Sequence, residues 1–215
     1  MLKQNKWTVL ITSIIILLPV LFGLVFWNDL PEQMTTHWGL DGTADGWSSR
    51  AFAVFGLPLI IFVLHWLCIM VTLKDPKNKG QNGKVFGVVL WITPMVSLFV
   101  NGMIYAVSLG IEVHPNLIVN LLMGVTFVVI GNYLPKCKQN HTIGIKIKWT
   151  LENEENWNAT HRFSGKIWVV GGLLLIFCAF LPAVVTPFMM IATIVLLVAI
   201  PFLYSYRYHK KQERQ

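Results

Sequence analysis

The chain has 215 residues, of which 55% are hydrophobic and only 13% are charged, and its formal net charge at pH 7 is +7. A soluble domain carries about 25% charged residues, so this composition excludes an ordinary water-soluble fold. The positive charge lies at the ends of apolar stretches. This favours anionic lipid headgroups as its partner and argues against direct nucleic-acid binding.

Six apolar stretches follow one another along the chain, and most reach the roughly 18 residues needed to cross about 30 Å of hydrocarbon. The first is too long for the apolar core of a signal peptide and precedes no small-residue cleavage site, which predicts a retained helix. The fifth is short but extends into Pro182, and Pro182 and Pro187 predict a turn before the sixth. The stretches are Trp7–Trp27, Ala51–Leu73, Val85–Leu109, Leu117–Leu134, Ile167–Leu181 and Thr186–Tyr206.

The basic residues predict the orientation of these helices. With six crossings, every Lys and Arg except Arg50 falls on one side of the membrane. The positive-inside rule places that side, and both termini, in the cytoplasm. We therefore predict an all-α integral membrane protein with six transmembrane helices. It divides into residues 1–73 with an outer loop at 28–50, residues 74–134, and residues 135–215 with a cytoplasmic loop at 135–166.

The outer loop, NDLPEQMTTHWGLDGTADGWSSR, combines turn-forming glycines and aspartates with tryptophans. Turn chemistry predicts an ordered cap over the helix ends, and tryptophan suits the lipid headgroup zone. Two other interpretations stay open, namely ligand recognition and a weak metal site, although the spacing matches neither an EF-hand nor a zinc motif. The candidate residues are His37, Trp38, Asp41, Asp45 and Trp47.

The inner loop begins with a period-two pattern in which apolar residues alternate with glycine and lysine; the apolar positions are Ile143, Ile145, Ile147 and Trp149. This pattern is typical of an extended segment with one apolar face. The segment either lies along the membrane with its isoleucines down and its lysines toward lipid phosphates, or it presents an edge to a partner chain.

A helix is predicted next, with Thr150 as its N-cap and Gly165 as a bend. Trp157, His161, Ser164 and Trp168 follow at helical spacing and should share one face, while Glu155 and Arg162 lie on a charged face. The simplest interpretation of this segment is a solvated juxtamembrane helix held by tryptophan anchors.

The inner loop also carries a resemblance. Residues 131–166 resemble the signature of the SdpI family of bacterial membrane proteins, and the outer loop is similar to a segment of longer family members. The matching positions are Gly131, Asn132, Asn140, Gly144, Ile145, Trp149, Thr150, Leu151, Trp157 and Arg162. The chain departs from the family at Lys146-Ile147-Lys148, where the pattern has Arg-x-Pro, and lysine lacks the planar fork of arginine.

The resemblance implies a bacterial membrane protein that gives immunity to a secreted antimicrobial peptide toxin. It further implies that toxin detection holds a cytoplasmic winged-helix repressor at the membrane. On this basis the outer loop is the toxin side and the inner loop the partner-binding side. The partner-binding candidates are Asn140, Gly144, Lys146, Trp149, Thr150, Trp157, His161 and Arg162.

Polar residues inside the apolar stretches are further candidates, because such groups usually face the bundle interior. They are His65, Asn101, Asn120 and Asn132. The simpler interpretation of each, which we favour over a functional role, is an interhelical hydrogen bond worth about 0.6 to 2 kcal/mol. No acidic residue lies deep in a span, which argues against proton-coupled transport. No enzyme or cofactor motif is present in the sequence. A small transporter or exporter is the alternative function, and a structural scaffold is a third.

Overall fold

The computed structural model describes residues 2–81, 83–182 and 184–214, and its helices dominate the fold. Six of them are long and apolar enough to cross a membrane, as the sequence predicts. The helices are α1 (Leu2–Val25), α2 (Leu57–Lys74), α3 (Gly83–Ser108), α4 (Pro115–Tyr133), a short α5 (Lys148–Glu152), α6 (Glu154–Cys178) and α7 (Thr186–Gln212). A π-helical turn at Phe52–Gly56 leads into α2, and a 3-10 turn at Pro76–Gly80 follows it.

Three predicted limits of the spanning helices are wrong, all on the side of the inner loop. The first helix begins at Leu2, before Trp7. The fifth spanning helix begins at Glu154, well before Ile167. The short helix predicted to start after Thr150 is therefore largely part of this span, which continues through Gly165. The sixth continues past Tyr206 to Gln212. The predicted ends were placed where the apolar stretches give way to polar residues. The polar ends stay helical because they pack on each other, as Asn156 does on Ser205.

The all-α prediction is also wrong in the outer loop, which forms a β-hairpin. Strands β1 (Gln33–Trp38) and β2 (Ala44–Ser49) pair antiparallel, with an irregularity of register around His37. Gly42 takes a positive φ of 80° at the tip, where an L side chain is disfavoured. Met34 is fully buried against the ends of α1 and α3, so the loop is the ordered cap that its turn residues predict.

The helices form two halves. In the first half, α1 packs on α2 and α3; in the second, α6 packs on α4 and α7. The contact between α4 and α6 is the closest. Gly131 faces Gly165 and Gly124 faces Gly172, and a Cβ added at any of the four would lie within 2.8 Å of the facing backbone oxygen. Small residues of this kind allow membrane helices to approach closely.

The loops separate into two ends of the bundle. At one end, the hairpin reaches the start of α4, where Asn116 donates to the Leu40 carbonyl. At the other, the α2–α3 loop, the loop after α4 and the end of α7 lie together, as the Lys77–Gln139 and Asn153–Gln212 hydrogen bonds show. The second end carries the basic loops, so the positive-inside rule predicts that it faces the cytoplasm.

Candidate functional site

Asn140 organises the loop that follows α4. Its side chain is fully buried. Its amide donates to the carbonyls of Lys138 (2.8 Å) and Ile143 (2.9 Å), and its Oδ1 accepts from the backbone N–H groups of Thr142 (2.8 Å) and Ile143 (2.6 Å). One side chain therefore satisfies four backbone groups of an irregular segment, which would otherwise carry a large cost when buried.

The α2–α3 loop holds this segment from the other side, through three residues that sequence reasoning missed. Asp75 accepts from the His141 N–H (2.6 Å), and Asn78 donates to the Thr142 hydroxyl (2.6 Å). Gln81 pairs with the Lys138 backbone in both directions, at 2.8 and 3.0 Å. We call Asp75, Asn78 and Gln81 the clasp. The run DPKNKGQN signals only a polar turn, so their shared target was not foreseeable.

Gly144, Trp157 and His161 form the base of the inner loop. The Trp157 and His161 rings stack with centroids 4.0 Å apart, and Trp157 Nε1 donates to the Cys137 carbonyl (2.8 Å). Gly144 lies against them with φ of 109°, and a Cβ there would lie 2.5 Å from His161 Nε2. Glycine is thus required both by backbone conformation and by space.

His161 is held as a neutral ring by its two partners. The Ile145 N–H donates to Nε2 (3.0 Å), so Nε2 must be unprotonated. Nδ1 faces the Trp157 carbonyl at 2.8 Å, so Nδ1 carries the proton. The ring is 1% exposed. It is a connector between α6 and the inner loop.

Thr150 does not cap the helix as predicted. It lies inside the short helix α5, where its hydroxyl oxygen accepts from the Ile147 N–H (3.1 Å) and its hydroxyl reaches the Ile145 carbonyl (2.7 Å). The N-cap of α6 is Asn153, whose side chain accepts from the Asn156 N–H (2.8 Å). Threonine and asparagine are both good N-cap residues, so the sequence could not show which of the two begins the helix.

The predicted extended segment is not a strand, although its three isoleucines share one side. Residues 141–147 form bends and irregular backbone that lead into α5. Ile143, Ile145 and Ile147 nevertheless line one apolar cavity, while Lys146 and Lys148 are exposed. The period-two pattern therefore reports a loop with one apolar side.

The two tryptophans of the inner loop have different surroundings. Trp157 is fully buried in a cluster with Val85 and Cys137, so the interpretation of this residue as a membrane anchor is wrong. Trp149 packs on α7, with ring centroids 5.3 Å from Phe202 and 5.1 Å from Tyr206. It fixes the inner loop to the last helix.

A buried polar cluster joins α6 to α7, and sequence reasoning missed it. Asn156 donates to the Ser205 carbonyl (3.0 Å) and accepts from the Ser205 and Thr160 hydroxyls (2.7 and 2.9 Å). All three side chains are fully buried. The charged rim is different, since Lys146, Lys148 and Arg162 are exposed. We call these three residues the basic rim. They are among the exposed residues of the inner loop that a partner can reach.

Cys137 provides a test of this packing. Burial raises the pKa of its thiol to about 11, so on the order of one thiol in 1000 is ionised at pH 8, and only the thiolate is nucleophilic. We expect Cys137 to resist maleimide in the folded protein and to react readily after unfolding in dodecyl sulfate. Mass spectrometry of peptides checks this. Rapid labelling of Cys137 in the folded protein would contradict the burial described here.

The outer hairpin carries the predicted toxin-side residues in two arrangements. His37 Nδ1 pairs with Asp45 on the facing strand, and both side chains are well exposed. Asp41 accepts from the Thr43 backbone and hydroxyl at the tip, and these hydrogen bonds lower the pKa of Asp41. Trp47 is 58% exposed, whereas Trp38 packs on the buried cluster beneath the hairpin.

Arg50, the one basic residue predicted on the outer side, has a structural role there. Its guanidinium donates to the Trp27 carbonyl (2.6 Å) and the Leu30 carbonyl (2.9 Å) and lies 4.5 Å from the Trp27 ring. It therefore ties the end of α1 to the end of β2. Within residues 2–81, 83–182 and 184–214, no group of three or more His, Cys, Asp or Glu side chains is placed to hold a metal ion.

The polar residues inside the spans do not form one site. His65 is buried and hydrogen-bonds with Thr12 of α1 (3.2 Å). Asn101 and Asn120 donate to carbonyls one turn earlier in their own helices, and the Oδ1 of each has no hydrogen-bond partner among the described residues. Asn132 is exposed on α4, so the expectation that it faces the bundle interior is wrong.

Comparison with known proteins shows similarity both to a family and to an immunity protein. The SdpI/YfhL protein family model matches residues 136–205, which contain the inner loop, α6 and most of α7. The chain is also similar to Immunity protein SdpI of Bacillus subtilis (strain 168), with 29% identity over 216 residues that cover 98% of each chain. The chain is therefore similar to the SdpI/YfhL family over residues 136–205 and to one immunity protein over nearly its whole length.

The SdpI/YfhL match confirms the family resemblance of the inner loop, and with the six long apolar helices it identifies a multi-pass bacterial membrane protein. A second match covers residues 14–62, the outer hairpin and its flanking helices, and is described as a domain of unknown function (DUF1648). No solved structure matches the chain.

Proposed function

We propose that this chain is a membrane immunity protein that protects its cell against a secreted antimicrobial peptide. The full-length similarity to a protein named Immunity protein SdpI carries this proposal. Similarity over 98% of both chains includes the outer hairpin as well as the inner loop. The two ends of the bundle are therefore expected to serve one function together.

The outer hairpin is the surface that we assign to the toxin. Its exposed residues are polar at the His37–Asp45 pair and apolar at Trp47. An amphipathic peptide arriving at the membrane surface would meet both. Arg50 and the buried Met34 hold the hairpin rigidly on the helix ends, and a rigid surface loses less entropy on binding than a flexible loop.

The basic rim is the surface that we assign to a cytoplasmic partner, the winged-helix repressor that the family resemblance implies. Lys146, Lys148 and Arg162 are exposed, whereas the Trp157 and His161 side chains in the base of the inner loop are buried. Asn140, Gly144, Thr150, Trp157 and His161 then act by shaping the loop, since their side chains are covered. An acidic surface on the partner would complement the rim.

Signalling between the ends needs two states that the toxin binds with different affinity. The clasp is the connection that the structure offers, because Asp75 and Gln81 lie in the first half, which carries the hairpin, and bind the inner loop of the second half. A shift of α2 and α3 on toxin binding would thus pull directly on residues 138–142.

Complementation of a toxin-sensitive strain tests immunity. We expect expression of the chain to restore growth in the presence of toxin, and unchanged killing at equal expression would contradict the proposal. The double variant Lys146→Glu/Arg162→Glu separates immunity from signalling. It should leave protection against the toxin intact and abolish induction of a reporter gene that the repressor controls. Lys211→Glu, an exposed lysine on α7, is the control and should change neither.

Transport is the alternative function, and it makes a different prediction. Flux into liposomes that disappears on His65→Ala would favour a transporter. The observed surroundings of His65 give no support to that outcome, since its described partner is the Thr12 hydroxyl of a neighbouring helix.

A further inference from the structure

A cavity of about 690 Å³ lies between the two halves of the bundle at the inner end. Its walls come from α2, α3, α4, α6 and α7, and its floor is the inner loop through Ile143, Ile145 and Ile147. The lining is almost entirely apolar. No function described above uses this space.

The cavity opens sideways toward the bilayer. Four of its lining residues are large apolar side chains that remain strongly exposed on the surface of the spanning helices: Leu67 and Val71 of α2, and Val198 and Phe202 of α7. At that depth the surrounding solvent is hydrocarbon. An occupant that enters from the side must therefore be apolar where it meets these residues.

Lysines stand next to the lining residues at the inner mouth. Lys146 separates Ile145 from Ile147, Lys148 follows Ile147, and both are exposed without a salt bridge to any described residue. Lys136 lies over the ring of Tyr133, another lining residue, at 4.5 Å. An apolar groove with lysines at the chain positions next to its lining complements a molecule with a hydrocarbon chain and an anionic head.

We propose that this groove is a binding site for one anionic phospholipid. An acyl chain fills the space between α2 and α7, and the phosphate lies against Lys146 and Lys148. Lysine suits this task, because it binds phosphate as a point charge without the bidentate geometry of arginine. The bound lipid covers the apolar side of residues 143–147 and so supports the inner loop between the two halves.

Native mass spectrometry tests the site on the full chain, purified in mixed micelles of phosphatidylglycerol and phosphatidylcholine. We expect one phosphatidylglycerol to stay bound in preference to phosphatidylcholine. Each lysine near an anionic headgroup should contribute about fivefold in affinity. Lys146→Glu/Lys148→Glu should therefore lower phosphatidylglycerol retention by at least about 25-fold, whereas Lys211→Glu should leave it unchanged.

A second pair of variants tests occupancy of the groove itself. Val198→Trp fills the groove from α7 and should displace the lipid. Val195→Trp adds the same bulk one turn away, at an exposed position outside the lining, and should retain it. Circular dichroism and size-exclusion profiles establish that both variants fold.

Three results would overturn the proposal. Equal retention of phosphatidylglycerol and phosphatidylcholine would show that the lysines do not bind the lipid headgroup. Retention of phosphatidylglycerol in folded Val198→Trp would place the lipid elsewhere. A dimer that dissociates in Val198→Trp while lipid retention stays constant would assign the groove to a second copy of the chain. Because lipid binding is measured without toxin, each result is independent of the immunity proposal.

Discussion

Gly165→Ala should strongly destabilise the second half of the protein, because the added methyl group would clash at the contact between α4 and α6. The new Cβ would lie 2.7 Å from the Gly131 carbonyl oxygen and 2.9 Å from Pro135, and neither backbone nor proline ring can rotate away. Overpacking of a close-packed interface costs about 3 kcal/mol, and here α4 and α6 must separate. Thermal unfolding in detergent, followed by circular dichroism, measures the effect.

Gly102→Ala is the matched control for this substitution. Gly102 is also inside a spanning helix, but an added Cβ would meet nothing within 4 Å. Since alanine has the higher helix propensity, Gly102→Ala should leave the melting temperature unchanged or raise it slightly. Equal melting temperatures for Gly165→Ala and Gly102→Ala would show that α4 and α6 do not approach as closely as described.

Asn140→Ala should open the inner loop while leaving the six helices assembled. The substitution removes the partner of four backbone groups in residues 138–143, and each buried group left unsatisfied costs about 1–3 kcal/mol. Loss of about 3 kcal/mol of local stability would accelerate amide exchange on the order of 100-fold in residues 141–151. Hydrogen exchange with mass spectrometry resolves this segment from the helices.

Labelling of Cys137 gives a second readout of the same variant. The thiol lies beneath the Asn140 amide at 3.5 Å, so an open loop should expose it to maleimide. Asn158→Ala, an exposed asparagine on α6, should change neither exchange nor labelling. If Asn140→Ala exchanged like the unsubstituted protein, the clasp alone would suffice to hold the loop, and the central position of Asn140 would be refuted.

The sequence predicted the positions of some site residues and not of others. Lys146 and Arg162 were predicted on the surface and are there. Trp157 and His161 were predicted on one helical face and share it, but as a buried stack. Asp75, Asn78 and Gln81 lay in a segment that suggested only a turn. Their partners lie 57 to 66 positions further along the chain, and no local pattern encodes a contact at that separation.

The outer loop shows the same division. Turn residues predicted order there, and the pairing of β1 with β2 was missed because the alternation of the strands is weak and Gly46 interrupts β2. The strands are stabilised by burial of Met34 on helix ends that come together only in the assembled bundle. Local propensity for a strand is small compared with this burial.

The sequence by itself determined the membrane class, the six spans and the two chemically different ends. These follow from apolar length and from the positions of charge, which act residue by residue against the bilayer. Only the tertiary structure decided which polar residues are buried, where α6 begins, and that the α2–α3 loop holds the inner loop. Those outcomes depend on partners distant in the chain, because a buried polar group is stable only where another element supplies its hydrogen bonds.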